Sequence, residues 1–220
     1  LMDLFEIIGP IMIGPSSSHT AGAARIGLIA RKLLGERPVV ADIAFHGSFA
    51  KTYRGHGTDR ALVGGLLGLQ VDDENLRRSL SIAREQGLDF SFRTVVLRDM
   101  HPNSVALRLK GESGLSLSIV ASSIGGGRIE VKQIEGLETS FTGESPTLII
   151  RHFDRMGIIA KVCKTLEENH INIAGMRDFR KELGGEAVMI MELDDVIDKG
   201  LLEKLKALEH ISNAVMIDGF

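Results

Sequence analysis

The sequence predicts an α+β protein of two domains, and three observations carry that expectation. In the first third, Ile26, Ile29, Ala30, Leu33 and Leu34 recur at helical spacing within residues 21–34. From Phe90 onward the apolar period drops to two, the mark of half-buried strands. Beyond residue 146 the two periods alternate in the order β-α-β-β-α-β, which specifies a ferredoxin-like two-layer sandwich.

The elements follow in order. Gly14-Pro15 turns the chain, one of Ser16, Ser17 and Ser18 is expected to cap the first helix, and Gly35 stops it. An apolar run at 39–45 reads as a strand ending in His46-Gly47-Ser48, and the polar, glycine-punctuated residues 47–59 read as a loop. Thr58 or Asp59 can start a second helix over 60–69; Asp73-Glu74, Leu76, Leu80 and Ala83 signal a third that ends at Gly87. An antiparallel set of strands is expected at 92–97, 105–109, 115–121 and 128–134. Gly125-Gly126-Gly127 lies between two of them with no Lys-Ser/Thr helix after it, so it reads as a turn and not a phosphate loop.

The first domain is assigned to residues 1–140 and the second to 146–220, with 139–146 as a polar linker. In the second domain strands are expected at 147–152, 171–179, 186–193 and 211–217, and helices at 158–169 and 199–208. Ile159, Val162, Cys163 and Leu166 form one apolar helix face, and Leu201, Leu202, Leu205 and Leu208 the other.

Composition narrows the function. The chain has 220 residues, 44% hydrophobic, with a net charge of −3, no Trp and one Tyr. Residues 1–145 hold 16 basic and 16 acidic side chains and residues 146–220 hold 10 and 13, so neither half is a polycation suited to nucleic acid or an anionic membrane. No apolar run has the length of a membrane span and no signal peptide is evident, which makes a cytoplasmic location the expectation. The lone Cys163 excludes an internal disulfide and a multi-cysteine metal site, so no metal ligands are assigned.

Candidate chemistry gathers in polar stretches of the first domain. Ser16, Ser17, Ser18, His19 and Thr20 place hydroxyls and an imidazole at the positive end of a helix, a place that suits a carboxylate. Capping accounts for one serine, not for three with a histidine. Gly55-His56-Gly57 leaves the backbone free to bring an imidazole close to a ligand. Asp59 either orients His56 or caps the helix; Thr58, Lys51 and Thr52 add hydroxyls and a cation, and His101-Pro102-Asn103 forms a polar turn. Such groups can hold a small amino or hydroxy acid and move protons. His152, His170 and His210, near element ends, look ordinary.

The runs IGPSSSHTAGAARIG, GSFAKTYRGHGTDRA, HPN and SIGGGRI, in this order, resemble the iron–sulfur-dependent L-serine dehydratases, and more closely the beta subunit of their two-chain bacterial form. The chain departs from many relatives at Tyr53, where they carry glycine, and from some at Gly57, where they carry a second histidine. The resemblance implies that the first domain folds like the allosteric substrate-binding domain of some D-3-phosphoglycerate dehydrogenases. It implies that residues 146–220 form an ACT regulatory domain, which often pairs with a copy of itself and binds amino acids at that interface. Its ligand positions fall on Asp154, Gly157 and Asn172. It further implies deamination of L-serine to pyruvate and ammonia, a partner alpha subunit whose cysteines hold a 4Fe-4S cluster, and His19 and His56 as candidate catalytic groups. A stand-alone amino-acid-binding regulator without catalysis is the other reading of the residues.

Overall fold

The computed structural model describes residues 11–219, and these divide into two compact units between Gly136 and Leu137. The first unit opens with a π-helical turn, Ser17–Gly22, that runs into α1 (Ala23–Leu34). β1 (Pro38–His46), α2 (Gly47–Thr52), α3 (Thr58–Leu67), a 3₁₀ turn (Glu74–Arg78) and α4 (Ser79–Glu85) come next, followed by β2 (Asp89–Val95), β3 (Ser104–Gly111), β4 (Ser116–Gly125) and β5 (Arg128–Ile134).

The strands of this unit lie side by side in the order β2-β1-β3-β4-β5. Alternate residues Val105, Leu107 and Leu109 of β3, and Leu117, Ile119 and Ala121 of β4, are buried, and α1, with Ile26, Ile29, Ala30 and Leu33 buried, packs on β4. Gly125 pairs with Arg128, so Gly126-Gly127 turns a hairpin as expected. β3, β4 and β5 form the expected antiparallel set, but the strand expected with them at 92–97 lies outside it: β2 pairs with β1, in parallel. Three helices and a 3₁₀ turn separate these strands, and parallel neighbours need a crossover connection of that kind.

Residues 47–52, expected as loop, form α2. Phe49 anchors it in the core, fully buried with its ring edge-on to Phe45 at 6.2 Å. Gly47 starts it at a φ of 57°, where a Cβ would run into Pro102. The helix expected at 60–69 begins at Thr58, and its N-cap is Gly57, which offers no side-chain hydrogen bond.

α1 and α3 touch backbone to backbone. A Cβ on Gly27 would stand 2.9 Å from Gly65 Cα, and one on Gly65 would stand 2.9 Å from Gly27 Cα. One turn further on, Arg31 Nη1 donates to the Leu66 carbonyl at 2.9 Å. Contacts advance along both helices together, so they run parallel and their N-termini lie at the same end of the unit.

The second unit holds β6 (Leu137–Phe141), β7 (Thr147–Phe153), α5 (Ile158–Glu167), β8 (Ile173–Arg180), β9 (Glu186–Leu193), α6 (Lys199–Lys206) and β10 (Ile211–Ile217). β7 to β10 form an antiparallel sheet in the order β10-β7-β9-β8, the ferredoxin-like arrangement, over a core of Leu148, Ile150, Val162, Leu166, Met189, Met191 and Leu205. β6 takes residues 139–141 out of the expected linker. On α5 the buried face runs through Ile158, Val162 and Leu166, at four-residue spacing, and Ile159 turns outward. Leu202, Leu208 and Cys163 pack at the core's margin, partly buried.

Candidate active site

The parallel packing of α1 and α3 decides where the two motif histidines go. Each stands just ahead of a helix start, and their rings meet edge to face with centroids 4.9 Å apart and planes at 74°. His19 sits in the π-turn, a feature common at functional sites. Small residues on its inner side allow the turn to press against β4: Ala21, Ala23 and Ala24 are fully buried, and a Cβ on Gly22 would overlap Ser123 Oγ.

Ser16 is the cap among the three serines. Its Oγ accepts from the His19 N–H at 3.2 Å and lies 3.5 Å from His19 Nδ1. On the other side of the ring, Ser48 Oγ lies 3.4 Å from Nε2. Phe49 packs against the imidazole at 5.2 Å. Both nitrogens thus face hydroxyls while one ring edge faces apolar carbon. Burial first, and the neighbouring His56 second, hold the His19 imidazole below the ordinary histidine value. His19 is therefore neutral near pH 7 and able to accept a proton, whereas His56 is exposed and open to a ligand.

Four polar atoms around this point are buried without a hydrogen-bond partner: Thr20 Oγ1, Thr58 Oγ1, Asn103 Oδ1 and Ser123 Oγ. Beneath them Ser104 Oγ donates to the His101 carbonyl at 2.5 Å and lies 2.7 Å from Ser122 Oγ. The His101-Pro102-Asn103 turn is tied in through Ser48 N–H to the Pro102 carbonyl at 2.7 Å and Ser123 N–H to the Asn103 carbonyl at 2.9 Å.

Other sequence candidates fall elsewhere. Asp59 does not orient His56; its carboxylate accepts the Arg60 N–H at 2.8 Å. Burial pushes that carboxyl up, against the Arg60 hydrogen bond and the Arg60 and Arg54 charges. Thr52 Oγ1 donates back to the Ser48 carbonyl at 2.8 Å within α2, and Lys51 is exposed on that helix. His101 is exposed, its Nδ1 accepting from the Asn103 N–H at 3.1 Å. Ser17 and Ser18 are half-buried in the π-turn. Ser48, Phe49 and Ser122 escape the sequence reading; the hydroxyls beside Gly47 and before the triple glycine are its only trace of them.

In the second unit, Asp154 accepts from Arg180 Nη1 at 2.9 Å and from the Gly184 N–H at 3.1 Å. Gly157 caps the start of α5, while Asn172 follows its far end and donates to Asp194 Oδ2 at 2.7 Å. One copy of the unit therefore does not bring Asp154, Gly157 and Asn172 together. His152, expected to be ordinary, is buried and bonded through Nε2 to Asp178 Oδ1 at 2.9 Å.

The chain thus joins paired imidazoles at two parallel helix starts, in its first unit, to a ferredoxin-like second unit. The chain belongs to the serine dehydratase beta chain family, which residues 1–134 match; residues 147–210 match the ACT domain. It is 43% identical to a probable L-serine dehydratase beta chain of Bacillus subtilis, over 97% of both chains. It is 36% identical to the L-serine dehydratase beta chain of Peptoniphilus asaccharolyticus, again over 97% of both. A third likeness, 30% identity over 94% of this chain and 39% of the relative, is to a D-3-phosphoglycerate dehydrogenase of Methanocaldococcus jannaschii, in line with the expected fold.

Proposed function

We propose that this chain is the beta subunit of an L-serine dehydratase, deaminating L-serine to pyruvate and ammonia in the cytoplasm together with an alpha subunit. The contact of His19 with His56, between helix starts lined by unpartnered hydroxyls, carries the reading. A regulator that only binds an amino acid has no need of two imidazoles in contact, and beta-chain relatives of matching length support the catalytic alternative.

A 4Fe-4S cluster needs three or four thiolates. This chain has one cysteine, Cys163, partly buried on α5 against the core of the second unit, and its residues do not fit that group. The described residues hold no cluster of metal-ligating side chains. In this reading the 4Fe-4S cluster is the alpha subunit's.

The chain's own part is proton handling. Neutral His19, its ring steered by Ser16 and Ser48, accepts the Cα proton of serine, and His56 faces the substrate across the contact. Loss of that proton and of the β-hydroxyl as water leaves an enamine, whose hydrolysis releases ammonia and pyruvate. In the ACT unit, pairing with a second copy is the arrangement that lets Asp154 and Gly157 of one copy meet Asn172 of the other.

The test is anaerobic purification with the alpha subunit and a pyruvate assay on L-serine. The complex is expected to be brown and active, and this chain alone colourless and inactive. Iron bound by this chain alone, or a complex that binds serine without turnover, overturns the reading.

A further inference from the structure

Beside His56 the first unit carries a cavity of about 330 Å³, walled partly by Gly14, Gly55 and Gly57. That volume falls within the range of small-molecule sites. Arg54, Arg60 and Arg77 line it, and no Asp or Glu does. Elsewhere arginines find carboxylates: Arg37 pairs with Glu112, Arg93 with Asp42 and Arg180 with Asp154. Among the described residues, Arg54, Arg60 and Arg77 form no such ion pair, although the Asp59 charge acts on Arg54 and Arg60; Arg54 lies over the Tyr53 ring at 5.5 Å. Asp59, the acid next to Arg60, is buried with its carboxylate turned to the Arg60 N–H.

Two further features favour negative charge. The cavity abuts the N-terminal end of α3, a helix of 10 residues, where the dipole is positive. Thr20 forms part of the wall, 5% exposed, and its Oγ1 is without a partner. Guanidinium groups grip carboxylate and phosphate bidentately. Three of them around one concavity, offset by at most the one Asp59 charge, leave at least two positive charges that a single negative charge would not balance.

We propose that this cavity binds a small dianion, a phosphate ester or a dicarboxylate, held by Arg54, Arg60 and Arg77. The binding itself is independent of the dehydratase reading. Because His56 is a wall of the cavity, occupancy sets a negative group against the histidine pair, and on that reading it competes with serine.

The experiment is isothermal titration of the full chain with inorganic phosphate, malonate and acetate. Phosphate or malonate should bind at least about tenfold tighter than acetate, and Arg77→Gln or Arg54→Gln should each weaken that binding roughly tenfold, the scale of one charge-assisted hydrogen bond. Arg84→Gln, whose guanidinium stacks on Phe90 at 5.2 Å, should bind like the parent chain. Equal losses in all three variants, or no preference over acetate, overturn the proposal. If dianions do not bind but Arg77→Gln weakens association with the alpha subunit, the cavity takes an acidic segment of that partner and the proposal again fails. Binding in a chain whose complex makes no pyruvate sustains the site while the dehydratase reading falls. Turnover without binding does the reverse.

Discussion

The two units treat buried polarity in opposite ways. Every buried side-chain nitrogen or oxygen without a hydrogen-bond partner among the described residues lies in the first unit, on Thr20, Thr58, Asn103 and Ser123. In the second unit the buried polar groups are paired: Thr147 Oγ1 donates to the Ser145 carbonyl at 2.8 Å, and both His152 nitrogens have partners at 3.1 and 2.9 Å. An unsatisfied buried group costs roughly 1–3 kcal/mol. Among the described residues the first unit bears that cost four times and the second unit not at all.

The histidines offer the largest effect that could break this contrast. In the complex with the alpha subunit, His19→Ala or His56→Ala should lower turnover roughly 10²–10⁴-fold, the scale of losing a general acid or base. His170→Ala, in the turn after α5, should match the parent enzyme. Equal, mild losses at all three would mean that the first unit's polar atoms merely pack. A loss confined to serine KM would make the pair binding groups and move the base to Ser16–Ser18 or the partner.

Next in size is the backbone contact that brings the two helix starts together. Gly65→Ala puts a Cβ against the Ala24 carbonyl and 2.9 Å from Gly27 Cα. Overpacking of this kind costs roughly 1–3 kcal/mol, and backbone on both sides leaves no side chain to yield. Calorimetry of the full chain should show the loss in the first unit's transition, with pyruvate formation falling too because His19 and His56 move apart. Unchanged turnover would mean that the helix contact does not set the pair.

Much of this fold was legible because periodicity is local. Residues 128–134, 186–193 and 211–217 come out as strands at the expected limits, each set by alternation between turn residues. α2 was not, because the glycines and polar residues around it mask one buried anchor, Phe49, whose role depends on Phe45 and His19. The parallel pairing of β1 with β2 is a non-local choice that composition does not encode. Within the site, the SSSHT and GHG motifs named the two histidines, but only the helix packing shows that they touch. Ser48 and the three cavity arginines gain meaning from neighbours distant in sequence. His152 looked ordinary because a strand-end histidine reads the same whether exposed or buried. Ala187 stands opposite it on β9, and the ring's partner Asp178 comes from β8, 26 residues further along the chain.

A smaller effect sharpens the contrast directly. Thr58 is fully buried with its hydroxyl unpartnered. Thr58→Val keeps the shape and removes the unsatisfied group, so stability should hold or rise by up to about 1 kcal/mol. Thr147→Val in the second unit removes a made hydrogen bond and should lose about 1 kcal/mol. Urea unfolding of both variants checks the signs. If Thr58→Val loses as much as Thr147→Val, the first hydroxyl is structural after all.

The smallest effects concern pH, and here the units should move in opposite directions from the ordinary histidine value of 6.5. For His19, burial and then the His56 charge favour the neutral ring, so its folded value is lowered. The stability it contributes is present above the ordinary value and is lost as pH falls through the lowered one. For His152, burial is the largest influence and also opposes charge. The hydrogen bonds to Asp178 and the Phe153 carbonyl, with the Asp178 and Asp154 charges, outweigh it, and the folded value is raised. Its contribution is full below the ordinary value and fades as pH rises through the raised one. Titration of the imidazole resonances in the full chain should place the two rings on either side of 6.5. His56→Gln should let His19 rise while leaving it below the ordinary value, since burial, the larger cause, remains. Asp178→Asn removes the charge that sustains His152, and burial, then less opposed, should carry that ring downward. Should His152 keep its raised value in Asp178→Asn, the buried pair is not what holds its proton.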